Sequence, residues 1–236
     1  MRVFNHGVIN TLGAIHFLDR PHRLRAGFHM KPVDFEQEEI NLLIELQKSL
    51  SKILPKEDYQ KVLFLFSALY IKDRDTALHS LRVRDYALAI AGKCKLTYEE
   101  EVAVLVGAPL HDIGKLEFSD SLFTSKAPLT RSERDLIKKH PDFGAVIIEK
   151  MGLHYPGLIE AVRGHHERIN GSGYPDGLSG SRSSLLARII AAADTRDALT
   201  SDRPYQKPLD EATAMQKLWE SNHHFDREIV KELQQI

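Results

Sequence analysis

Apolar residues recur every three or four positions along most of the chain, which is the spacing of one buried helix face. The first such run follows Asp34, a predicted N-cap, and ends before Pro55. Further helices are predicted at 57–71, around 75–86, at 97–111, after Thr130, from Pro141, and at 156–166, 184–199, 209–220 and 225–235. No segment shows the alternation of a strand, so the pattern predicts an all-α fold.

Capping residues support several of these helix starts. Thr97 and Thr130 are each followed three residues later by glutamate, which is the pattern of a capping box. Proline suits the first helical turn, so Pro141 indicates a new start after His140. The helix at 184–199 has Ser183 or Ser184 as its predicted cap.

The exception to the helical pattern is the stretch 167–183, which holds four of the 14 glycines and Pro175. A loop of this length in a compact domain is usually functional or disordered. We therefore expect this segment to contribute to a site.

The first 30 residues contain scattered histidines and arginines but one acidic residue, Asp19. They lack the pattern of a secretory signal, and we expect a poorly structured leader with Met30 as an alternative start. The predicted organisation is this leader at 1–30, a helical extension at 31–70 and one helical domain at 71–236.

Composition limits the chemistry. The net charge of −1 over 236 residues lacks the basic excess of DNA- and RNA-binding proteins. No apolar run is long enough to span a membrane. The single cysteine, Cys94, excludes a disulfide framework and a thiolate zinc cluster. With 12 histidines, any bound metal would have imidazole and carboxylate ligands.

Several of these histidines lie at or near predicted helix ends, beside acidic residues. Asp194 lies mid-helix in an apolar stretch, and a buried carboxylate needs a cation or strong donors. A salt bridge from Asp194 to Arg196 or Arg188 is the alternative to a metal. The candidate ligands are His79, His111, Asp112, His140, His165, His166 and Asp194.

The order His79, His111-Asp112, Asp194 resembles the ligand order of HD-domain metal phosphohydrolases. The segments HDIGK, KKHP, HHERINGSGYPDGL and DALTSDRPY are similar to the HD-GYP subfamily of cyclic-di-GMP phosphodiesterases, over Asp73 to Phe225. The resemblance implies an HD-type bundle of about seven or eight helices, with a long Gly-rich GYP loop and a short N-terminal extension. It also implies hydrolysis of cyclic-di-GMP to linear pGpG, and on to GMP, by a metal-bridging hydroxide.

The resemblance implies two or three divalent ions, iron or manganese. His79, His111, Asp112 and Asp194 would hold the first ion, with Asp112 bridging to a second held by His140, His165 and His166. The family commonly has tyrosine where this chain has Asp75, and members with a carboxylate there hold three metals. A third-metal ligand and an exposed acid near a helix start are both consistent with Asp75.

The resemblance also implies roles for residues outside the metal-ligand set. Lys115 would act in catalysis and bind phosphate, although a lysine near a helix end also satisfies terminal carbonyls. Tyr174 would stack on guanine, or pack the loop. Arg203 would reach phosphate or guanine, or pair with a nearby aspartate. Glu167 would orient a ligand histidine. The residues expected to shape the loop are Gly171, Gly173, Pro175 and Gly177.

Asn170 and Gln206 depart from the family pattern, which has aspartate and often a basic residue there. They leave two alternatives open: another cyclic dinucleotide as substrate, or a cyclic-di-GMP receptor or docking module with little turnover. The family also suggests a GGDEF-domain partner, which no feature of this chain selects. The Leu-rich extension would form a homodimer or pack on its own domain, and we expect a cytoplasmic protein.

Overall fold

The structure is a computed structural model that describes residues 37–119, 122, 129–202, 207–221 and 223–236. The predicted leader, the Asp34 cap, Arg203 and Gln206 lie outside the described residues. The chain divides into two compact units, Met1–Ser67 and Ala68–Ile236.

Helices account for the regular structure of the described ranges, and the predicted all-α fold is confirmed. The helices are α1 (Gln37–Ile53), α2 (Lys56–Lys72), α3 (Arg74–Ala91), α4 (Tyr98–Leu110), α5 (Arg131–Ile137), α6 (His140–Lys150), α7 (Leu158–Gly164), α8 (Leu185–Thr200), α9 (Glu211–Glu220) and α10 (Arg227–Leu233). Two short 3-10 segments cover Ile113–Glu117 and Gly180–Arg182. Within the described part of the chain, no helix has both the length and the apolar content of a bilayer span.

In the first unit, α1 buries leucines at the predicted helical spacing, and Pro55 separates this helix from α2. The buried set is Leu43, Leu46 and Leu50 in the helix and Leu54 directly after it. Burial of a leucine side chain contributes about 1.5–3 kcal/mol, so this stripe stabilises α1.

In the second unit, the predicted capping boxes are present at the starts of α4 and α5. Thr97 accepts the amide N–H of Glu100, whose carboxylate accepts the N–H of Thr97 in return. Ser184, rather than Ser183, caps α8 by accepting the N–H of Ala187 at 3.0 Å. These local signals set where the helices begin.

Helix α8 is the centre of the second unit and packs against α3, α4, α7, α9 and α10. Its buried run of three alanines, Ala191 to Ala193, presents little side-chain volume, which lets neighbouring helices approach closely. Two aspartates, Asp194 and Asp197, continue this helix and face α3. A central helix thus carries acidic groups into the interior.

The loop 167–183 contains more regular structure than the sequence indicated. It holds the 3-10 segment Gly180–Arg182 and an isolated antiparallel bridge between Asn170 and Ser179. The Asn170 side chain accepts the N–H and hydroxyl of Ser172. Its amide oxygen therefore braces the loop without the charge of an aspartate.

Gly114, in the first 3-10 segment, lies directly against the start of α6. A Cβ at this position would be 1.9 Å from the carbonyl oxygen of His140 and 2.6 Å from the amide nitrogen of Gly144. These are backbone atoms that cannot move aside without displacing α6. Only glycine permits the 3-10 segment and α6 to pack this closely.

We expect Gly114→Ala to lower the free energy of unfolding by about 2 kcal/mol or more, because the added methyl overpacks against backbone. The matched control is Gly92→Ala, where the added Cβ would lie at an ordinary contact distance of 3.5 Å from the Leu88 carbonyl oxygen. That variant should stay within about 1 kcal/mol of the wild type. Chemical denaturation of both variants makes the comparison, and equal losses would contradict this account of Gly114.

Candidate metal centre

Three helix ends and two helix interiors bring the predicted ligands together. His111 follows the last residue of α4, and His165 follows the last residue of α7. His140 lies three residues beyond Ile137, the last residue of α5. His79 lies within α3 and Asp194 within α8, and a salt-bridge contact of 3.0 Å joins them.

Three of the imidazoles are held by their own helices. The Nδ1 atom of His111 is 2.8 Å from the Ala108 carbonyl oxygen, that of His140 is 2.7 Å from Ile137, and that of His165 is 2.6 Å from Val162. A carbonyl oxygen can only accept, so each Nδ1 carries the proton and donates it. In a neutral ring the lone pair is then on Nε2.

His79 is oriented by a carboxylate. Its Nδ1 donates to Asp197 at 2.6 Å, and Asp197 in turn accepts from Arg82 Nε at 2.6 Å. Ser201 also donates its hydroxyl to Asp197, at 3.1 Å. This chain of bonds fixes the His79 ring with Nε2 facing Asp194.

The Nε2 atoms converge on Asp112. His140 Nε2 lies 3.2 Å from Asp112 Oδ1, and His111 Nε2 lies 3.4 Å from Asp112 Oδ2. His140 Nε2 is also 3.1 Å from the Nε2 of His165. Two groups have ligand atoms within 4.8 Å of one another, namely His79, His111 and Asp112, and His140, His165 and His166.

This donor set fits divalent metal ions. The Nε2 atoms of His140 and His165 face each other with both ring protons donated elsewhere, so two lone pairs are opposed at 3.1 Å. Only a proton or a cation between such atoms relieves their repulsion. Imidazole nitrogens with carboxylates are ligands that suit iron, manganese, zinc and similar ions.

The pKa values favour the protonation states in which these groups can bind a metal ion. Burial lowers the pKa of His140 to about 4 and of His166 to about 3. Burial would raise the pKa of Asp112, but Lys115 and His111 outweigh it and hold this pKa well below the usual range. Both imidazoles are therefore neutral and the carboxylate is ionised at neutral pH.

His79 differs from the other histidines. Burial alone would lower its pKa, but the bonds to Asp194 and Asp197 raise that pKa to about 9. In metal-free protein a proton on His79 thus occupies the position between Nε2 and Asp194. The alternative assignment of Asp194 to an arginine is wrong, because Arg196 bonds to Glu211 and Arg188 to Asp226.

A cavity of about 910 Å³ opens over these ligands. Lys115 lines it, with Nζ 2.7 Å from Asp112 Oδ2, so its charge lies beside the centre of the ligand set. Asp75 also lines the cavity and is exposed, one helical turn before His79. A metal bound to the ligand set would therefore be reached from this cavity.

The Gly-rich loop is held by Glu167, the residue that directly follows the ligand pair His165-His166. Both Glu167 carboxylate oxygens accept loop amides, from Asp176 at 2.7 Å and from Leu178 at 2.9 Å. Glu167 therefore orients the loop, and the prediction that it orients a ligand histidine is corrected accordingly. A Cβ on Gly173 would be 2.4 Å from the His166 carbonyl oxygen. Only glycine therefore lets the loop backbone pass this close to the backbone of His166.

The same loop places Tyr174 on a ligand. The Tyr174 ring stacks on His166, with ring centroids 4.6 Å apart and an interplanar angle of 28°. Gly171 and Gly177 adopt positive φ angles of 80° and 65°, which supports their predicted loop-shaping role. Arg163 bridges the loop to α6 by bonding both Asp176 and Asp142.

Two features of the site were missed from the sequence. Asp197 orients His79, and its position one helical turn after Asp194 was the available signal. Arg168, directly after the His-His-Glu segment, lines the cavity and carries a positive charge into it. Nothing in the helical periodicity indicated that Arg168 points inward.

We expect the stability of metal-free protein to peak near pH 6.5. Below this value, His140 and His166 must take up protons on unfolding, so the free energy of unfolding falls, by about 3 kcal/mol for a pKa shift of His140 to about 4. Above pH 6.5, the contribution of His79 to the free energy of unfolding is lost as the pH rises toward the His79 pKa of about 9. Denaturation of chelator-treated protein from pH 4 to 9 measures the profile. His79→Leu should flatten the alkaline side, and an unchanged alkaline side in that variant would contradict the assignment.

Comparison with known proteins agrees with this geometry. A family model described as HD domain matches residues 66–229. A cyclic di-GMP phosphodiesterase of Pseudomonas aeruginosa is 36% identical over 169 residues, which is 71% of this chain and 41% of that protein. A 3'3'-cGAMP-specific phosphodiesterase of Vibrio cholerae is 28% identical over 205 residues, covering 86% of this chain and 38% of that protein. This chain thus spans about two fifths of the length of these relatives.

Among solved structures, an HDG"Y"P protein from Bdellovibrio bacteriovorus superposes with a TM-score of 0.61 at 19% sequence identity. The match covers 96% of this chain and 76% of that one, and it confirms the predicted helical fold. The family model, the fold and the ordered ligand motifs agree with one another. This chain belongs to the HD domain family, and the predicted resemblance to its HD-GYP branch is confirmed.

Proposed function

We propose that this protein is a metal-dependent phosphodiesterase that hydrolyses cyclic-di-GMP to linear pGpG and then to GMP. The observation that carries the proposal is the convergence of four imidazoles, from His79, His111, His140 and His165, with the carboxylates of Asp112 and Asp194, beneath a cavity of about 910 Å³. The printed name of the Pseudomonas aeruginosa relative supports the substrate. Residues 71–236 would be the catalytic domain.

The two ligand groups would hold a pair of divalent ions, which we propose are iron or manganese. One ion would be bound by His79, His111, Asp112 and Asp194. The other would be bound by His140, His165 and His166, and Asp112 lies within reach of both. Bound ions at such a centre supply Lewis acidity for the attack of water on phosphorus. The anchored Nδ1 atoms keep the imidazoles in place for this task.

Lys115 and Tyr174 would bind the substrate. The Lys115 ammonium lines the cavity beside Asp112, where it can donate to a non-bridging phosphate oxygen and balance its charge. The Tyr174 ring lines the same cavity and can contact a guanine base. Phosphate or guanine binding by Arg203, a GGDEF-domain partner, a homodimer and a cytoplasmic location stay predictions from the sequence.

A specific observation favours another cyclic dinucleotide as the alternative substrate. One relative is named as specific for 3'3'-cGAMP, and it aligns with 86% of this chain. The charges that surround the scissile phosphate do not depend on which purine is attached. A direct comparison of the two substrates decides between them.

Protein loaded with iron or manganese should convert cyclic-di-GMP to pGpG, because the proposed ligands would hold both ions and Lys115 would bind the phosphate. Asp112→Ala should lower the rate by more than about a hundredfold, since it removes the carboxylate that lies within reach of both ions. Liquid chromatography of the products measures both, with 3'3'-cGAMP assayed in parallel. Tight binding of cyclic-di-GMP without product would instead establish a receptor, and faster turnover of 3'3'-cGAMP would change the substrate.

Asp75 is proposed as the ligand of a third ion, because it lines the cavity one turn before His79. Metal analysis of loaded protein should give three ions per chain, falling to two in Asp75→Ala. The matched control is Asp135→Ala, an exposed aspartate on α5 that does not line the cavity. Two ions in both the wild type and Asp75→Ala would remove Asp75 from the metal centre.

A further inference from the structure

The five proposed ligand histidines differ in how their rings are held. Four of them have Nδ1 within 2.6–2.8 Å of a carbonyl or carboxylate oxygen, namely His79, His111, His140 and His165. His166 is the exception, because within the residues that the structure describes neither of its ring nitrogens has a hydrogen-bond partner. An imidazole without such a partner can turn about its Cβ–Cγ bond, and the lone pair that would bind an ion turns with it.

The His166 ring is covered by the ring of Tyr174 instead. The two centroids are 4.6 Å apart and the two planes are inclined by 28°, so the rings are nearly parallel. The rings of His140 and His165 also lie near His166, but at steeper angles of 86° and 45°, and both are proposed ligands themselves. Since stacked rings resist tilting out of their common plane, Tyr174 restricts the orientations that the His166 imidazole can adopt.

The backbone of Tyr174 is fixed to the backbone of the residue that its ring covers. The Tyr174 amide donates to the His166 carbonyl oxygen at 3.2 Å. Gly173 passes the same carbonyl so closely that a Cβ there would be 2.4 Å from its oxygen. Further along the loop, Glu167 accepts the amides of Asp176 and Leu178. The stack is therefore built into the loop and does not depend on the conformation of a free side chain.

This stack can replace the missing hydrogen bond in energy as well as in geometry. An aromatic stack and a single hydrogen bond make net contributions of similar size. The interaction with His166 uses the face of the Tyr174 ring, so it does not require the phenolic hydroxyl. Removal of the ring and removal of the hydroxyl should therefore have different effects.

We propose that Tyr174 is a positioning residue, which orients the His166 imidazole toward the ion proposed to lie between His140, His165 and His166. The proposal rests on the proposed function for the presence of that ion. It assigns Tyr174 a role in metal binding that is independent of any contact between its ring and a nucleotide. The affinity for this ion then depends on the Gly-rich loop.

The test is a titration of chelator-treated, full-length protein with manganese chloride, followed by isothermal titration calorimetry in the absence of nucleotide. Tyr174→Leu removes the flat ring, and Tyr174→Phe removes the hydroxyl alone. The matched control is Tyr98→Leu, because Tyr98 is 62% exposed at the first residue of α4 and does not line the cavity. Tyr174→Met repeats the ring removal with a side chain that keeps most of the volume. Thermal unfolding of each metal-free variant checks that it is folded.

Tyr174→Leu and Tyr174→Met should weaken the binding of one manganese ion about tenfold, which is the effect expected when a ligand histidine loses the group that orients it. Tyr174→Phe and Tyr98→Leu should stay within about twofold of the wild type. Wild-type affinity in a folded Tyr174→Leu or Tyr174→Met variant would overturn the proposal. An equal loss in Tyr174→Phe would also overturn it, because the effect would then come from the hydroxyl.

A double-mutant cycle shows whether Tyr174 acts through His166. His166→Gln keeps a ligand oxygen near the position of Nε2 but has no ring for Tyr174 to orient. In that background Tyr174→Leu should change the manganese affinity by less than about twofold, whereas a tenfold loss in both backgrounds would contradict a role through His166. Ring-dependent manganese binding by a protein that yields no pGpG from cyclic-di-GMP would support the role of Tyr174 and contradict the proposed hydrolysis alone.

Discussion

The hydrogen bond from an imidazole Nδ1 to a carbonyl in the last turn of a helix is the interaction on which the centre depends. It occurs at the ends of α4, α5 and α7, through His111, His140 and His165. The last carbonyls of a helix lack intrahelical partners, so each bond satisfies an orphan acceptor and sets the tautomer of a ligand at once. At each of the three helix ends, a single hydrogen bond therefore satisfies a terminal carbonyl and orients a ligand.

Much of the fold and of the ligand set could be predicted from the sequence because both have local signals. The threonine-glutamate spacing located the starts of α4 and α5, and the apolar stretch around Asp194 indicated a carboxylate that needs a cation or strong donors. The role of Asp197 could not be predicted in this way. Its partner His79 lies 118 residues away in sequence, and only the packing of α8 on α3 brings them to 2.6 Å.

The Gly-rich loop shows the same limit of local patterns. Its glycines and Pro175 predicted irregular backbone, but Glu167 holds the loop through amides nine and eleven residues further on. The loop is thus fastened to the residue that follows the ligand pair His165-His166. A change in loop conformation would reach His166 through the stacked Tyr174 ring, because the two rings lie 4.6 Å apart.

The three helix ends that meet at the centre also fix its electrostatic potential. A helix C-terminus carries about half a negative charge, and Asp112 and Asp194 add two ionised carboxylates. Lys115 and the protonated His79 balance these two carboxylates in metal-free protein, so the ligand set alone supplies no excess positive charge for a phosphodiester. Divalent ions held there would supply that excess, and we expect an anionic substrate to bind more tightly to metal-loaded than to metal-free protein.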